Sequence, residues 1–368
     1  MRIAIFGYGI IGQAIKKLLD DSALMHNLSH LDDRLIVRAY DIKEIPGCTR
    51  ISTIEEVAPT NDLVICCTPY RVNERVVECC MQYNCHYLDL TEDIKSTSLL
   101  KSLFDPSKNM DGWRRGDSSS QQMCIPQCGL APGAVNIIAH HLASQLDSVD
   151  TMEIRVGALP KYPTNMMKYH FTWSPEGVIN EYSNQCEAIV NGERVWLMPL
   201  EGYETLSLNG KDFEAFNTSG GVGTLVDTWF SRVQHLNYKS LRYAGHQHLM
   251  KFLLHDLDMT HKRQEIGALL KHSMPPYVIP DVVHILIKVS GQKDDQSRME
   301  IYQKSIEAPN GLSAIQLTTA SSVCSWVYNL VAKRFQGKGF IKQEDLDYGL
   351  FTSNEFGKIY ANNHYRMV

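Results

Sequence analysis

The sequence predicts an α/β chain: a doubly wound parallel sheet comes first, then a second, α+β domain with a mainly antiparallel sheet. Three observations predict it. Near the N-terminus short apolar runs alternate with helically spaced segments, one of those runs is continuously apolar, and in the middle of the chain strand-like segments begin to alternate polar and apolar residues. Strands interleaved with helices imply parallel βαβ units. A continuously apolar strand is buried on both faces, whereas an alternating one belongs to a sheet with one wetter face.

The first strand is RIAIF at residues 2–6, ending at glycine. A helix over 10–19 follows, with Ile11, Ala14, Ile15, Leu18 and Leu19 on its apolar stripe. LIVRAY at 35–40 is the second strand and Asp41 closes it. DLVICC at 62–67 is the continuously apolar run. A helix over 71–83 and a strand HYLDL over 86–90 complete the pattern. Residues 105–122 are polar and rich in turn formers, hence a loop. MCIPQCGLAPG then reads as a last strand and a turn. Further on, strands are expected near 151–157, 168–173, 213–217, 234–243, 281–289 and 298–307, and helices at 134–146, 245–257, 264–272 and 312–334.

Length and composition agree with this. At roughly 150 residues per domain, 368 residues make two or three domains. Hydrophobic residues are 44% and charged residues 21%, which excludes a disordered or fibrous chain. The net charge is -5 with no polybasic run, so neither a nucleic-acid nor an anionic-membrane partner is expected. No apolar stretch approaches the roughly 18 residues of a membrane span, and the N-terminus lacks the regions of a signal peptide. Ten cysteines without CxxC pairs or zinc-finger spacing read as reduced thiols of a cytoplasmic protein, with no metal site. Cys67 and Cys128 are the candidates for a reactive thiol.

Gly7-Tyr8-Gly9-Ile10-Ile11-Gly12 is GxGxxG between a strand and a helix. In a dinucleotide-binding turn the first glycine makes the bend, the second admits the pyrophosphate and the third lets helix and strand pack closely. The helix N-terminus then offers free N–H groups to phosphate. Asp41 and Ile42 end the second strand. An acidic group there accepts from ribose hydroxyls and repels a 2′-phosphate, which favours NAD over NADP. The separation from the motif exceeds the usual ~20 residues, and the HNLSHLDD stretch absorbs the excess as a loop. Arg38 and Lys43 keep NADP open. Cys67-Thr68-Pro69 and Asp89 with Thr91 follow the next strands, on the edge where a ligand of an open parallel sheet sits.

Several blocks go beyond this motif: TPYRVNERV, LDLTED, GLAPGAVNIIAHHLASQLD, VGALP, FTWSPEGVINEYSN, FEAFNTSGGVGTL and YKSLRYAGH. With them the chain resembles the saccharopine dehydrogenase superfamily over nearly its whole length, and within it the lysine 6-dehydrogenase branch. The resemblance implies a Rossmann domain over 1–132, an inserted substrate and dimerisation α+β domain over 133–311, and a C-terminal helix, within 312–368, that returns to the first domain. It also implies an oxidoreductase, often a homodimer, acting on a small amino-acid substrate.

In that setting several residues become candidates for substrate contact. Gly133 and Asn136 sit in a turn whose helix N-terminus would bind a carboxylate; the turn also reads as a rigid domain crossing. Thr218, Ser219 and Gly220 form a nest for an anion, or a simple helix cap. Arg242 suits bidentate carboxylate binding, and Tyr169 would face the substrate. Ser174 before Pro175 reads as a helix cap. A hydride leaves a carbon bearing an amine, and water hydrolyses the imine. A general base takes the ammonium proton, with His246, Asp89 and Tyr70 as candidates in that order. The alternatives are a saccharopine or carboxynorspermidine-type reductase using NADP, and a non-catalytic NAD-binding protein.

Overall fold

The computed structural model describes residues 1–22, 35–105, 122–170, 175–272, 279–309, 311–361 and 364–367. Residues 106–121 of the expected loop, the stretch 26–33 and Ser174 lie outside them. The chain divides into two compact units: Met1–Ile137 with Thr318–Ala361, and Ile138–Leu317 with Asn362–Val368. The chain leaves the first unit within one helix, Ala134–Ala143, and re-enters it within another, Ala314–Val331.

The first unit opens with β1 (Arg2–Phe6), α1 (Ile10–Asp20), β2 (Ile36–Asp41), β3 (Thr49–Arg50) and β4 (Leu63–Cys66). It continues with α2 (Asn73–Gln82), β5 (His86–Asp89), α3 (Ile94–Leu103) and β6 (Met123–Ile125). The strands form a seven-stranded sheet in the order Gly339–Phe340, β6, β5, β4, β1, β2, β3, and every pair is parallel. All four residues of β4 are buried, as its continuous apolar run requires. The strand order reverses between β1 and β4, and a doubly wound sheet binds ligands at the carboxyl ends of its strands at such a point.

The second unit carries α4 (Ala134–Ala143, shared with the first), β7 (Ser148–Pro160), α5 (Pro175–Ser183), β8 (Cys186–Val190), β9 (Glu193–Leu197), β10 (Glu204–Leu208) and β11 (Lys211–Asn217). After these come α6 (Leu225–Trp229), β12 (His235–Tyr243), α7 (His246–Lys251), α8 (Arg263–His272), β13 (Asp281–Lys293) and β14 (Gln296–Glu307). Its nine-stranded sheet runs β10, β11, β12, β7, β13, β14 and His364–Met367, with β8 and β9 added beside β12. β12 and β7 are parallel, and every other pair is antiparallel. Tyr182, Phe216, Leu241 and Met250 are among the fully buried side chains that close its core. Each such apolar side chain contributes about 1.5–3 kcal/mol.

Three local readings change. Lys168–His170, expected to begin a strand, is irregular, because the Asn165 side chain binds the backbone of Tyr169 at both N–H and carbonyl. The hairpin β8–β9 and the strand β10 were not expected. Asn191–Gly192 and Asn209–Gly210 turn those hairpins with both residues at positive φ, the conformation in which Asn-Gly matches the twist of flanking strands. The helix expected over 245–257 is α7 followed by a single wider turn over Phe252–Asp256. Among the described residues, no helix is long and apolar enough to cross a membrane.

Candidate functional site

The glycine turn leaves β1 in the expected way. Gly7 has φ +98, and a Cβ there would lie 2.8 Å from the Cys67 carbonyl carbon. Its N–H donates to the Tyr40 carbonyl (2.9 Å), and the Cys67 N–H donates to the Phe6 carbonyl (2.7 Å). A Cβ on Gly12 would overlap the Gly7 carbonyl oxygen, whereas among the described residues nothing lies within 4 Å of the Cβ position at Gly9. α1 starts at Ile10 and Ile11 with no side-chain cap and no acidic residue in its first turn. Its amide N–H groups and positive dipole end favour an anion. Asp41, half-buried at the end of β2, accepts from the Tyr8 N–H (2.7 Å) and the Lys43 N–H (2.9 Å). Ile42 beside it is 60% exposed. The open space at Gly9, the uncapped helix and the carboxylate on the turn fit a dinucleotide: pyrophosphate against the backbone, ribose hydroxyls toward Asp41.

Cys67, Thr68 and Pro69 leave β4 on this same edge. The Thr68 hydroxyl lies 3.1 Å from the Cys66 thiol, and Pro69 is exposed. Burial pushes the thiols of Cys67 and Cys128 well above their ordinary range, which leaves neither suited to thiolate chemistry. Tyr70 opens a one-turn helix, is half-buried and makes no side-chain hydrogen bond among the described residues.

Asp89 has a different place from the one expected. It is 1% exposed and accepts four hydrogen bonds: from Asn73 Nδ2 (3.0 Å), the Tyr87 hydroxyl (2.9 Å), the Thr91 N–H (3.1 Å) and the Gln127 N–H (2.8 Å). Thr91 is buried in the same knot, and its hydroxyl accepts from the Asp93 N–H. Burial pushes the Asp89 carboxyl up to about 6, against the pull of those donors. A carboxylate committed in this way ties α2, β5 and the chain after β6 together. It does not suit direct cofactor contact or abstraction of a substrate proton.

In the second unit one cluster stands apart. Arg242, on β12, is 4% exposed. Its Nε–H donates to the Tyr182 hydroxyl (2.8 Å) and Nη1 to the Leu241 carbonyl (2.8 Å). The guanidinium lies 4.6 Å from the Tyr169 ring centre and 5.7 Å from that of Tyr182. Among the described residues no carboxylate lies within ion-pair distance of it. Glu214, its cross-strand neighbour, is committed to the N-terminus of α7, accepting from the N–H groups of Gly245 (2.7 Å) and Gln247 (2.5 Å). Glu181 acts on the guanidinium electrostatically.

His246 is 1% exposed. Its Nδ1 lies 3.0 Å from the Met167 carbonyl and its Nε2 3.0 Å from the Tyr182 hydroxyl. A carbonyl only accepts, so Nδ1 carries the proton and Nε2 accepts from Tyr182. Burial and the Arg242 charge push the imidazole down to about 3. Both ring nitrogens are engaged, and the general-base role expected of His246 does not suit them. Tyr182 was missed by sequence reasoning.

Of the two expected anion turns, the one at Gly133 is closed on itself. The Gly133 N–H donates to Asn136 Oδ1 (2.7 Å), and a Cβ on Gly133 would overlap Gly129. The amides of Ala134, Val135 and Asn136 all find backbone carbonyls, so α4 offers no free N–H there. Thr218 binds the Ser240 hydroxyl (2.8 Å), Ser219 binds the Asn180 carbonyl (3.3 Å), and Gly220 makes the bend at φ +91. The Gly133 turn is a packing device rather than a carboxylate site; at 218–219 the engaged groups are the two hydroxyls and the Ser219 N–H, which donates to the Glu181 carbonyl.

The buried histidines set a pH dependence. His284, on β13, is pushed down to about 4 by burial and the Lys211 charge. Unfolded histidine titrates near 6.5, so between about 4 and 6.5 the unfolded chain binds more protons and stability rises with pH. Asp89 works the other way: folded near 6 and unfolded near 3.9, it makes stability fall as pH rises across about 4 to 6. His284→Gln is expected to flatten the acid limb by up to about 1.4 kcal/mol per pH unit. Urea unfolding at several pH values checks this, and an unchanged limb would show that His284 protonates alike in both states.

A family model described as saccharopine dehydrogenase C-terminal domain matches residues 129–351, more than half of the chain. The chain belongs to this family. The superfamily resemblance read from the sequence is thereby borne out. The saccharopine dehydrogenase (L-Glu forming) of Saccharomyces cerevisiae shares the fold, with a TM-score of 0.75 over 100% of this chain and 99% of that one, at 13% identity. Two curated relatives are carboxynorspermidine synthases. That of Vibrio alginolyticus is 25% identical over 182 residues, 48% of this chain and 42% of the relative. That of Vibrio cholerae is 27% identical over 148 residues, 39% and 34% respectively. The matched segments thus span less than half of these curated relatives.

Proposed function

We propose that the protein is a NAD-dependent dehydrogenase of the saccharopine dehydrogenase type, acting at an amine-bearing carbon of lysine or a lysine-derived amino acid, with lysine 6-dehydrogenase as the nearest reading. The observation that carries it is the turn Gly7–Gly12, open at Gly9 and bearing Asp41. When bound, the nicotinamide accepts the hydride. The chain's part is positioning and proton handling. α1 and Gly9 hold the pyrophosphate, and Asp41 takes the adenine ribose. Arg242, a buried cation with no carboxylate at ion-pair distance among the described residues, holds the substrate carboxylate. Of the three expected bases, Tyr70 alone is partly exposed with a side chain uncommitted among the described residues, and as a phenolate it would take the ammonium proton. Water then hydrolyses the imine.

A second reading, a reductase that joins an aldehyde to an amine, is favoured by the two carboxynorspermidine synthases. NADH or NADPH turnover across lysine, saccharopine and carboxynorspermidine separates the readings. Calorimetric binding of NADH with no turnover of any of them would instead favour a non-catalytic dinucleotide-binding protein. If Asp41 excludes the 2′-phosphate, Asp41→Ser should shift the NAD over NADP preference by at least ~10-fold toward NADP. An unmoved preference would remove Asp41 from the cofactor site.

A further inference from the structure

We propose that Tyr182 and His246 are positioning residues that fix Arg242 in the orientation that receives a substrate carboxylate. This rests on the reading of Arg242 given above. The argument is one of donors and acceptors. The Met167 carbonyl can only accept, so the neutral imidazole points Nδ1–H at it and leaves Nε2 as an acceptor. Tyr182 therefore spends its one hydroxyl proton on His246 at 3.0 Å. Its oxygen lone pairs are then turned to the Arg242 Nε–H at 2.8 Å. The proton direction is set along the whole chain, from a backbone carbonyl to the guanidinium.

The surroundings hold this order in place. Phe216 packs edge-on against Tyr182 (5.7 Å between ring centres) and stacked with His246 (6.4 Å). Tyr169 meets His246 edge-on at 5.1 Å and lies under the guanidinium. With Nε held by Tyr182 and one N–H of Nη1 by Leu241, three of the five guanidinium N–H groups have no acceptor among the described residues. A long side chain with free rotamers would lose binding energy when it orders around a ligand. Here the ordering is done in advance, by the hydrogen bonds of Tyr182 and His246. Among the described residues the charges that face the cluster are Arg242 itself and Glu181; His246 stays neutral beside them.

The test compares Tyr182→Phe, His246→Leu and His246→Gln. The first two remove a link; the third keeps a polar side chain able to accept from Tyr182. Removing one hydrogen bond to a charged group should raise KM for a carboxylate-bearing substrate about ten-fold. KM for its amide analogue should stay unchanged, kcat should move less, and His246→Gln should recover most of the loss. The pH profile of kcat should be the same in all three variants. A large loss of kcat with KM unchanged, or equal loss for acid and amide, would overturn the proposal. If the wild type turns over no amino acid, the reading of Arg242 as a substrate group fails. The positioning claim is then judged on crystal structures of the wild type and Tyr182→Phe, where an unmoved guanidinium would sink it.

Discussion

Arg242→Met is expected to cut kcat/KM for an amino-acid substrate by at least ~100-fold while leaving the folded chain as stable as before, or more stable by up to about 2 kcal/mol. The two effects share one cause. A guanidinium almost fully removed from water, with no carboxylate at ion-pair distance among the described residues, is costly to bury. Stacking on Tyr169 and one bond each to Tyr182 and Leu241 recover part of that cost. Methionine fills a similar volume without the charge and adapts to an irregular cavity. Tyr182 loses one donor but keeps its bond to His246. A residue kept for folding would behave oppositely. Thermal unfolding and steady-state kinetics on the same variant decide it: a lower melting temperature with unchanged kcat/KM would make Arg242 structural.

What the sequence shows of this molecule divides by distance along the chain. The glycine turn is written in six consecutive residues, because bend, phosphate approach and helix packing are each local demands. Asp41 is legible because a strand end is legible. The two Asn-Gly turns carried a signal that periodicity passed over, since the flanking strands are short and half polar, yet Asn191–Gly192 and Asn209–Gly210 have the dihedral angles that pair of residues favours. The Arg242 cluster is not legible in this way. Tyr182 lies 60 residues from Arg242 and 64 from His246, inside a block, FTWSPEGVINEYSN, that carries the family resemblance but gives this tyrosine no role. Which tyrosine meets which arginine depends on how α5 lies on the sheet of its unit. Asp89 shows the same limit. At a strand end on the ligand-binding edge it looks like a contact residue, and only the arrival of Gln127, 38 residues later, and of Asn73 commits its oxygens. Gly133 and Ser219 looked like anion sites because sequence shows which N–H and hydroxyl groups exist, not which carbonyls reach them first.

Gly9 and Gly12 should separate ligand binding from folding. Gly9→Ala is expected to cost no more than about 1 kcal/mol of stability, the N-cap preference for glycine, because among the described residues nothing lies within 4 Å of the new methyl group. Its φ of -75 suits alanine. The same open space is where a pyrophosphate would approach the backbone, so NADH affinity should fall ~10- to 100-fold, the worth of one or two charge-assisted hydrogen bonds. Gly12→Ala meets a different obstacle. Its methyl group would overlap the Gly7 carbonyl oxygen, a backbone atom held by the bend itself. α1 must move away from β1, at about 1–3 kcal/mol of stability, and the dinucleotide site is lost with the packing. Calorimetric titration with NADH beside chemical unfolding distinguishes the two variants. Unchanged NADH affinity in Gly9→Ala would mean that the turn packs a helix on a strand and holds no dinucleotide.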